Sequence, residues 1–358
     1  LLAFHILNVG HGDSIVVEYS DSGARHFGLV DSCAPNGHQN AALSKLKSLG
    51  ASRLSFLAIT HPHADHFTGV GDILDHFSGN IDLILSFPVS KSQQRIKRIA
   101  EKINAVRKAS SSATISRIAA DLIKFLALSS KYEWQAPTGM LGRICAPGFT
   151  PAVEILHILP PSKVKGSIFT SIDQGHFEPN DERHNDLSLA MIFKFAGHSF
   201  VLGADGAVAN WLYQERQLQR APLSASGAKL PHHGSQHDCS SEVIDFIFGG
   251  GPLERIAVIS ADGRSHPHED VLADLARKGI KPYCTGLATV CGGNKVVSHL
   301  GAATLPPPLR SFIQSTVVPR SSPCQGDIAI FIDRGGKISV DREYSAACTY
   351  RGDFAFSP

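Results

Sequence analysis

The heptapeptide Thr60-His61-Pro62-His63-Ala64-Asp65-His66 constrains this chain more than any other stretch. It closes an apolar run at residues 54–60 that reads as a buried strand, so three imidazoles and a carboxylate crowd one loop at a strand exit. Imidazole nitrogens and carboxylate oxygens are the ligands of zinc and similar divalent ions. His61 and His63 can turn to one ion while Asp65 and His66 turn to a second. Ordinary hydrogen bonding by loop histidines does not account for four such groups in six positions.

Histidine is also the compositional oddity, with 18 in 358 residues. The chain is 43% apolar, ample for a large core, and its formal charge of +2 is too small to name a partner. Seven cysteines (Cys33, Cys145, Cys239, Cys284, Cys291, Cys324 and Cys348) are scattered and form no CxxC pair. Neither a disulfide framework nor a cysteine zinc site is indicated, and reduced thiols are expected. No apolar run approaches the ~18–20 residues of a membrane span. The first residues carry neither a basic leader nor a small-residue cleavage site. A cytoplasmic protein with no membrane partner is the expectation.

The first third alternates strands (4–9, 14–19, 26–31, 54–60 and 81–87) with helices (40–49 and 70–77). From 91 to about 130 the pattern changes to two helices. The first, at 93–108 with Lys91 just ahead, sets Arg95, Lys97, Arg98, Lys102, Arg107 and Lys108 against one acid, Glu101. The second, at 115–129, carries an apolar stripe of Ile118, Leu122, Phe125 and Leu126. A Gly/Pro-punctuated connection follows at 134–151. This segment, about 90–150, reads as a helical insertion in a single domain spanning 1–358. Strands return at 153–159, 187–195, 199–202, 228–230, 255–260 and 281–285, with helices at 207–218, 241–248 and 268–278 and a closing hairpin at 327–340.

Thr60–His66 matches in full the HxHxDH signature of the metallo-β-lactamase superfamily, which the chain resembles nearly end to end. Asn8-Val9-Gly10-His11-Gly12-Asp13-Ser14 resembles the NVGQGDS opening of one branch, and Leu29-Val30-Asp31-Ser32 its strand ending in Asp. Asn185-Asp186-Leu187-Ser188-Leu189 resembles its NxSL element, and Val201-Leu202-Gly203-Ala204-Asp205 its LLTGD. Pro231-His232-His233-Gly234-Ser235 matches its HHGS box, and Ser265-His266-Pro267-His268 its GHPH box. That branch includes the hydrolase domain of the bacterial DNA-uptake (competence) channel protein and related phosphodiesterases.

The resemblance implies an α/β fold: an αββα sandwich of two facing mixed sheets, with the metal site at one edge where loops converge. It implies two divalent ions, zinc or manganese, held by His61, His63, Asp65, His66, Asp205 and one histidine of the HHGS pair. Asp205 would bridge them; a carboxylate ending an apolar strand is costly unless paired. His232 is the favoured ligand with His233 orienting substrate, though the order can be reversed. His184 is the candidate third histidine of the first ion, with a surface-loop role equally open. His176 is an alternative, as is His157, which alternates within an apolar strand and suits the core better. His266 would face the cleft and stabilise charge or protonate a leaving group, whereas His268 can simply precede a helix. Asp13 and Asp31 would orient metal-bound histidines, with plain turn roles as the competing reading.

The expected activity is hydrolysis by a water activated between two metals, with Asp65 also holding the nucleophile. No GxSxG or P-loop competes. The basic helix favours a phosphodiester, nucleic acid first and a small phosphodiester second, although a solvated helix face explains such charge equally well. Its aromatics are too sparse for base stacking. The alternatives are an amide, lactone or thioester hydrolase on the same site, and a non-catalytic metal-binding module.

Overall fold

The structure is a computed structural model, described here for residues 1–34, 39–86, 113–129, 133–135, 141–158, 182–252, 254–261, 266–286 and 326–342, plus isolated positions at 101–108 and 166. Most of the basic helix at 93–108, and His176, lie outside the described residues.

The first sheet contains β1 (Leu2–Ile6), β2 (Ser14–Asp21), β3 (Ala24–Ser32), β4 (Phe56–Ile59), β5 (Leu83–Ser86), β6 (Glu133–Gln135), β14 (Ile328–Ile332) and β15 (Ile338–Arg342). Its order is β15-β14-β1-β2-β3-β4-β5-β6, antiparallel as far as β3 and parallel beyond it. The second contains β7 (Leu141–Ile144), β8 (Glu154–Ile158), β9 (Ala190–Phe195), β10 (His198–Leu202), β11 (Gly227–Lys229), β12 (Arg255–Ile259) and β13 (Ile280–Cys284). It runs β13-β12-β11-β10-β9-β8-β7, parallel from β13 to β10 and antiparallel from there.

Strand alternation sorts the apolar side chains into three cores. Between the sheets, Phe4, Val17 and Phe56 meet Phe193, Phe200 and Val258. The Phe4 ring stacks on Phe200 at 4.3 Å and meets Phe193 edge-on at 5.2 Å. On the far face of the first sheet, Leu29 and Leu57 pack under helices α1 (Ala41–Ser48), α2 (Ala64–Phe67), α3 (Val70–His76) and α4 (Ala113–Ser129), through Leu46, Phe67, Ile73 and Phe125. On the far face of the second, Val201 and Ala257 pack under α5 (Val208–Leu212), α6 (Ser241–Phe248) and α7 (Glu269–Arg277), through Trp211, Ile247 and Leu275. Helices outside and two mixed sheets inside make the αββα sandwich that the motifs imply.

Two differences from the expected elements have a physical cause. The connection expected at 134–151 contains β6 and β7, edge strands of three and four residues on opposite sheets. Strands that short leave no period to read between prolines and glycines. The second helix of the expected insertion, α4, joins parallel β5 to β6 and buries Leu122 and Phe125 in the same layer as α2 and α3. No helix among the described residues is long and apolar enough to cross a membrane.

The parallel strands β3 and β4 of one sheet, and β10, β11 and β12 of the other, end at the same rim of the sandwich. Carboxyl ends of parallel strands are where open α/β sheets bind ligands, because the loops there splay and leave a crevice.

Candidate metal centre

The first sheet supplies the histidine loop. His61 and His63 follow β4, and Asp65 and His66 stand in the first turn of α2. Asp31, at the end of β3 with a left-handed backbone (φ 57°), anchors this loop. Its carboxylate accepts the Thr60 amide N–H at 2.8 Å, the Thr60 hydroxyl at 2.7 Å and the Nδ1–H of His66 at 2.7 Å. The Thr60 hydroxyl proton being spent on Asp31, its oxygen takes the Nδ1–H of His61 at 3.0 Å. Both histidines thus present Nε2 to the centre, the tautomer a metal ligand needs. Gly12 packs beneath: a Cβ there would fall 2.3 Å from the Asp65 carbonyl oxygen, at a φ of 135°.

The second sheet supplies the opposing wall. Asp205 lies three residues beyond β10, after Ala204 in a left-handed conformation (φ 49°). His232 and His233, just past β11, are consecutively left-handed at φ 42° and 53°. Such conformations cost about 1–3 kcal/mol each and persist where surrounding structure enforces them, commonly at functional sites.

Three groups of potential ligand atoms result; Asp13, Asp31 and His66 form one, and two others meet at Asp205. Of those two, His61, His63 and Asp205 form the first; Asp65, His66, Asp205 and His233 form the second, with Asp205 common to both. His66 Nε2 lies 3.3 Å from Asp205 Oδ1 and 3.6 Å from Asp65 Oδ2. His233 Nε2 is 3.3 Å from Asp65 Oδ2 and 3.7 Å from Asp205 Oδ2, and His61 Nε2 is 3.7 Å from the same oxygen. Ligands of a tetrahedral ion at ~2.1 Å stand ~3.4 Å apart, so these separations suit nitrogen and oxygen donors around a divalent ion.

The electrostatics ask for cations. Asp13, Asp31 and Asp205 are buried and Asp65 nearly so, and one buried lysine, Lys229, stands among the four. Uncompensated buried carboxylates are prohibitively costly. Burial works against the charge on Asp205, but His66 and His233 outweigh it and hold the carboxyl well below its usual range. Asp65 is likewise held low against burial, by His66, His11 and His233. Burial opposes charge on His66 too, yet Asp205, Asp65 and Asp31 raise its pKa well above the imidazole norm. A proton there stands in for a cation. His61 is kept neutral by burial and by His66 and His63. Nε2 of His61, Nε2 of His66 and Oδ1 of Asp205 are buried without a hydrogen-bond partner. Donors of this chemistry, otherwise unsatisfied, fit divalent metal ions.

The sequence-expected residues fall as follows. His61, His63, Asp65, His66 and Asp205 converge. His233 rather than His232 joins Asp65, His66 and Asp205, which is the reverse of the favoured order. His232 stands 3.9 Å from Asp205, its Nδ1–H donating to Asp238 at 2.5 Å. That bond and the consecutive left-handed residues turn the second imidazole inward, which residue order alone does not reveal. His184 is buried with its ring 5.7 Å from that of His63, beside the first group but outside it. His157, on β8, packs over Gly142 in the neighbouring strand and belongs to neither group. His266 lies at the mouth, its ring stacked on His232 at 5.8 Å and 6.3 Å from His11. His268 precedes α7 and accepts the Gln236 amide at 3.2 Å.

Three residues escaped the sequence reading. Lys229 is fully buried at the end of β11, paired with Asp13 and donating to the Ala204 carbonyl at 3.3 Å. A charge inside a short apolar strand was its signal. His11 sets its Nε2 3.1 Å from Asp65 Oδ2, at the position where the resembled branch has Gln. Asp238 carried no signal beyond following the histidine pair.

No protein-family model matches the chain, and no curated protein matches it. Among solved structures, the metallo-β-lactamase fold protein YhfI from Bacillus subtilis is 12% identical, over 79% of this chain and 96% of that one, at a TM-score of 0.39. A diphosphatase from the PhnP family is 11% identical, over 85% of this chain and 92% of that one, at 0.35. A mutant of the β-hydroxylase CmlA is 15% identical over 80% of this chain, at 0.37, and the chain spans 52% of its length. Similarity this distant carries no activity across; the fold rests on the sheets and cores themselves.

Proposed function

We propose that the chain is a metal-dependent hydrolase, specifically a phosphodiesterase acting on nucleic acid or a small phosphodiester, with two zinc or manganese ions. One observation carries this reading: two groups of buried donors share the single carboxylate Asp205. When bound, such ions supply Lewis acidity and a water that ionises near neutral pH. His61, His63 and, beside them, His184 would hold the first ion; Asp65, His66 and His233 would hold the second, with Asp205 common to both. The HHGS and GHPH resemblances support the phosphodiesterase branch.

The chain's own residues do the rest. Asp31 and Thr60 fix the rings of His66 and His61, and Asp238 fixes His232. Asp65, partly open to the mouth, accepts a hydrogen bond from the attacking water and orients it. His11, His232 and His266 cluster at the entrance, where their imidazoles would donate to phosphate oxygens and His266 would give a proton to the leaving oxygen. General acid help of this kind is worth about 10²–10⁴-fold.

The test is turnover of bis-p-nitrophenyl phosphate and of labelled single- and double-stranded DNA with Mn²⁺ or Zn²⁺, before and after chelation. Metal-dependent turnover lost in Asp65→Ala is expected. Protein that holds two metal equivalents yet leaves every phosphodiester intact, while opening a lactone or thioester, refutes the phosphodiesterase reading.

A further inference from the structure

The rim opposite the metal centre holds a second cavity, of about 770 Å³. The sandwich is open there between its two edge strands, β15 of the first sheet and β13 of the second. The loops that carry Asp205 and His266 follow the carboxyl ends of β10 and β12, whereas the cavity takes His198 and Arg255, the first residues of those strands. Five-residue strands at ~3.3 Å per residue put the two sites well over 10 Å apart.

His198 builds one wall. Its Nε2–H donates to the Gly336 carbonyl at 2.6 Å and its Nδ1 lies 2.7 Å from the Ser226 hydroxyl, fastening the β14–β15 turn to the second sheet. The floor is apolar: Ile256, Ile338 and Val340, packed against the core between the sheets, and the ring of Tyr283. Its rim is cationic. Lys281 holds its ammonium 5.9 Å from the Tyr283 ring and Arg342 its guanidinium 4.9 Å from the same ring. Arg255, Lys281 and Lys337 line the opening with one carboxylate, Glu254. Among the described residues none of these three cations makes an ion pair, although exposed acids are plentiful elsewhere on the surface. Arg255 donates to the carbonyls of Phe248 and Lys278, and its Nε–H stays buried without a partner.

A concave apolar floor with a few convergent charges is the usual make-up of a small-molecule site, and this volume lies in the usual range of about 300–1,000 Å³. We infer that the cavity binds an amphiphilic organic anion: an aliphatic or aromatic body seated on the isoleucines and Tyr283, with a carboxylate, sulfonate or phosphate head between Arg255, Lys281 and Lys337. The inference is independent of the metal-centre reading.

The probe is 8-anilinonaphthalene-1-sulfonate, titrated by fluorescence into the metal-loaded full chain, with decanoate, decanol and acetate as competitors. One saturable site is expected, displaced by decanoate but by neither decanol, which lacks the charge, nor acetate, which lacks the body. The exposed pair Lys281→Gln/Lys337→Gln should weaken binding about tenfold, whereas Lys45→Gln/Lys47→Gln on α1 should leave it unchanged. Circular dichroism checks that both variants are folded. Absence of saturable binding overturns the inference, as do equal displacement by decanol and an affinity indifferent to the Lys281/Lys337 pair. Val340→Glu, which fills the floor and sets a carboxylate against the anionic head, gives the second reading and should abolish binding.

Discussion

Lys229→Met isolates the least conspicuous charge of the candidate metal centre. The ammonium of Lys229 is wholly buried, pairs with Asp13, donates to the Ala204 carbonyl at 3.3 Å and stands 3.9 Å from Asp205. Methionine keeps length and much of the volume, so packing changes little. What remains is the Asp13 carboxylate, buried, its nearest remaining partners the rings of His233 and His66 at 3.8 and 3.9 Å. At present burial pushes the Asp13 pKa up and Lys229, His233 and His66 bring it down below its ordinary value. Breaking a buried pair at one end costs about 3–5 kcal/mol, because the partner charge is left uncompensated. We expect the lower end, about 3 kcal/mol, since the two histidines compensate in part. The assay is equilibrium urea unfolding of the chelated protein at pH 7.5, for Lys229→Met, Asp13→Asn and the double variant. The double variant should regain about 2 kcal/mol relative to the sum of the singles, because neither charge is then stranded. A loss under about 1 kcal/mol for Lys229→Met, or additivity within about 0.5 kcal/mol, refutes the reasoning.

Asp31→Asn keeps the shape but removes the charge and one acceptor from the anchor of Thr60 and His66; metal affinity should fall about 10–100-fold in competition with a chelating dye, and a change under threefold contradicts the assigned role. Gly12→Ala places a methyl group against the Asp65 carbonyl at a φ that disfavours side chains; we expect a loss of about 2 kcal/mol in thermal unfolding together with reduced metal content by elemental analysis. Asp121, on α4, is raised from 3.8 to about 7 by burial, aided by Asp72 and Asp75 and opposed by Arg117 and Lys124. A carboxyl whose folded pKa is raised gives full stability below its unfolded value and loses it as pH climbs through the folded one. Asp121→Asn should therefore stabilise the protein by roughly 2 kcal/mol at pH 8, after allowing for partial solvent screening, and by nothing at pH 4; equal gains at both pH values count against it.

The residues of the candidate metal centre were legible to different degrees, for reasons of distance along the chain. His61, His63, Asp65 and His66 occupy a single turn, so their spacing states their proximity. Asp205 was legible because a carboxylate closing the apolar strand β10 demands a partner. The order of His232 and His233 was not, since two consecutive left-handed residues and the bond to Asp238 decide which imidazole turns inward. His157 and His184 illustrate the same limit. Both are buried, yet one packs across a strand pair over Gly142 and the other lies beside His63.

The sequence by itself determined the alternation of apolar residues that makes two-faced strands, the amphipathic helices α4, α6 and α7, and the concentration of ligand chemistry at the ends of β4, β10 and β11. These follow from local periodicity and from the cost of placing polar groups at apolar strand ends, which act within a few residues. Tertiary structure alone decided that β6 and β7 exist, that α4 lies in the layer of α2 and α3, and that Asp13 and Lys229 meet. It also opened the cationic slot between β13 and β15. Each of those pairs elements far apart in the chain, and only the stacking of two twisted sheets fixes which of their side chains come within bonding distance.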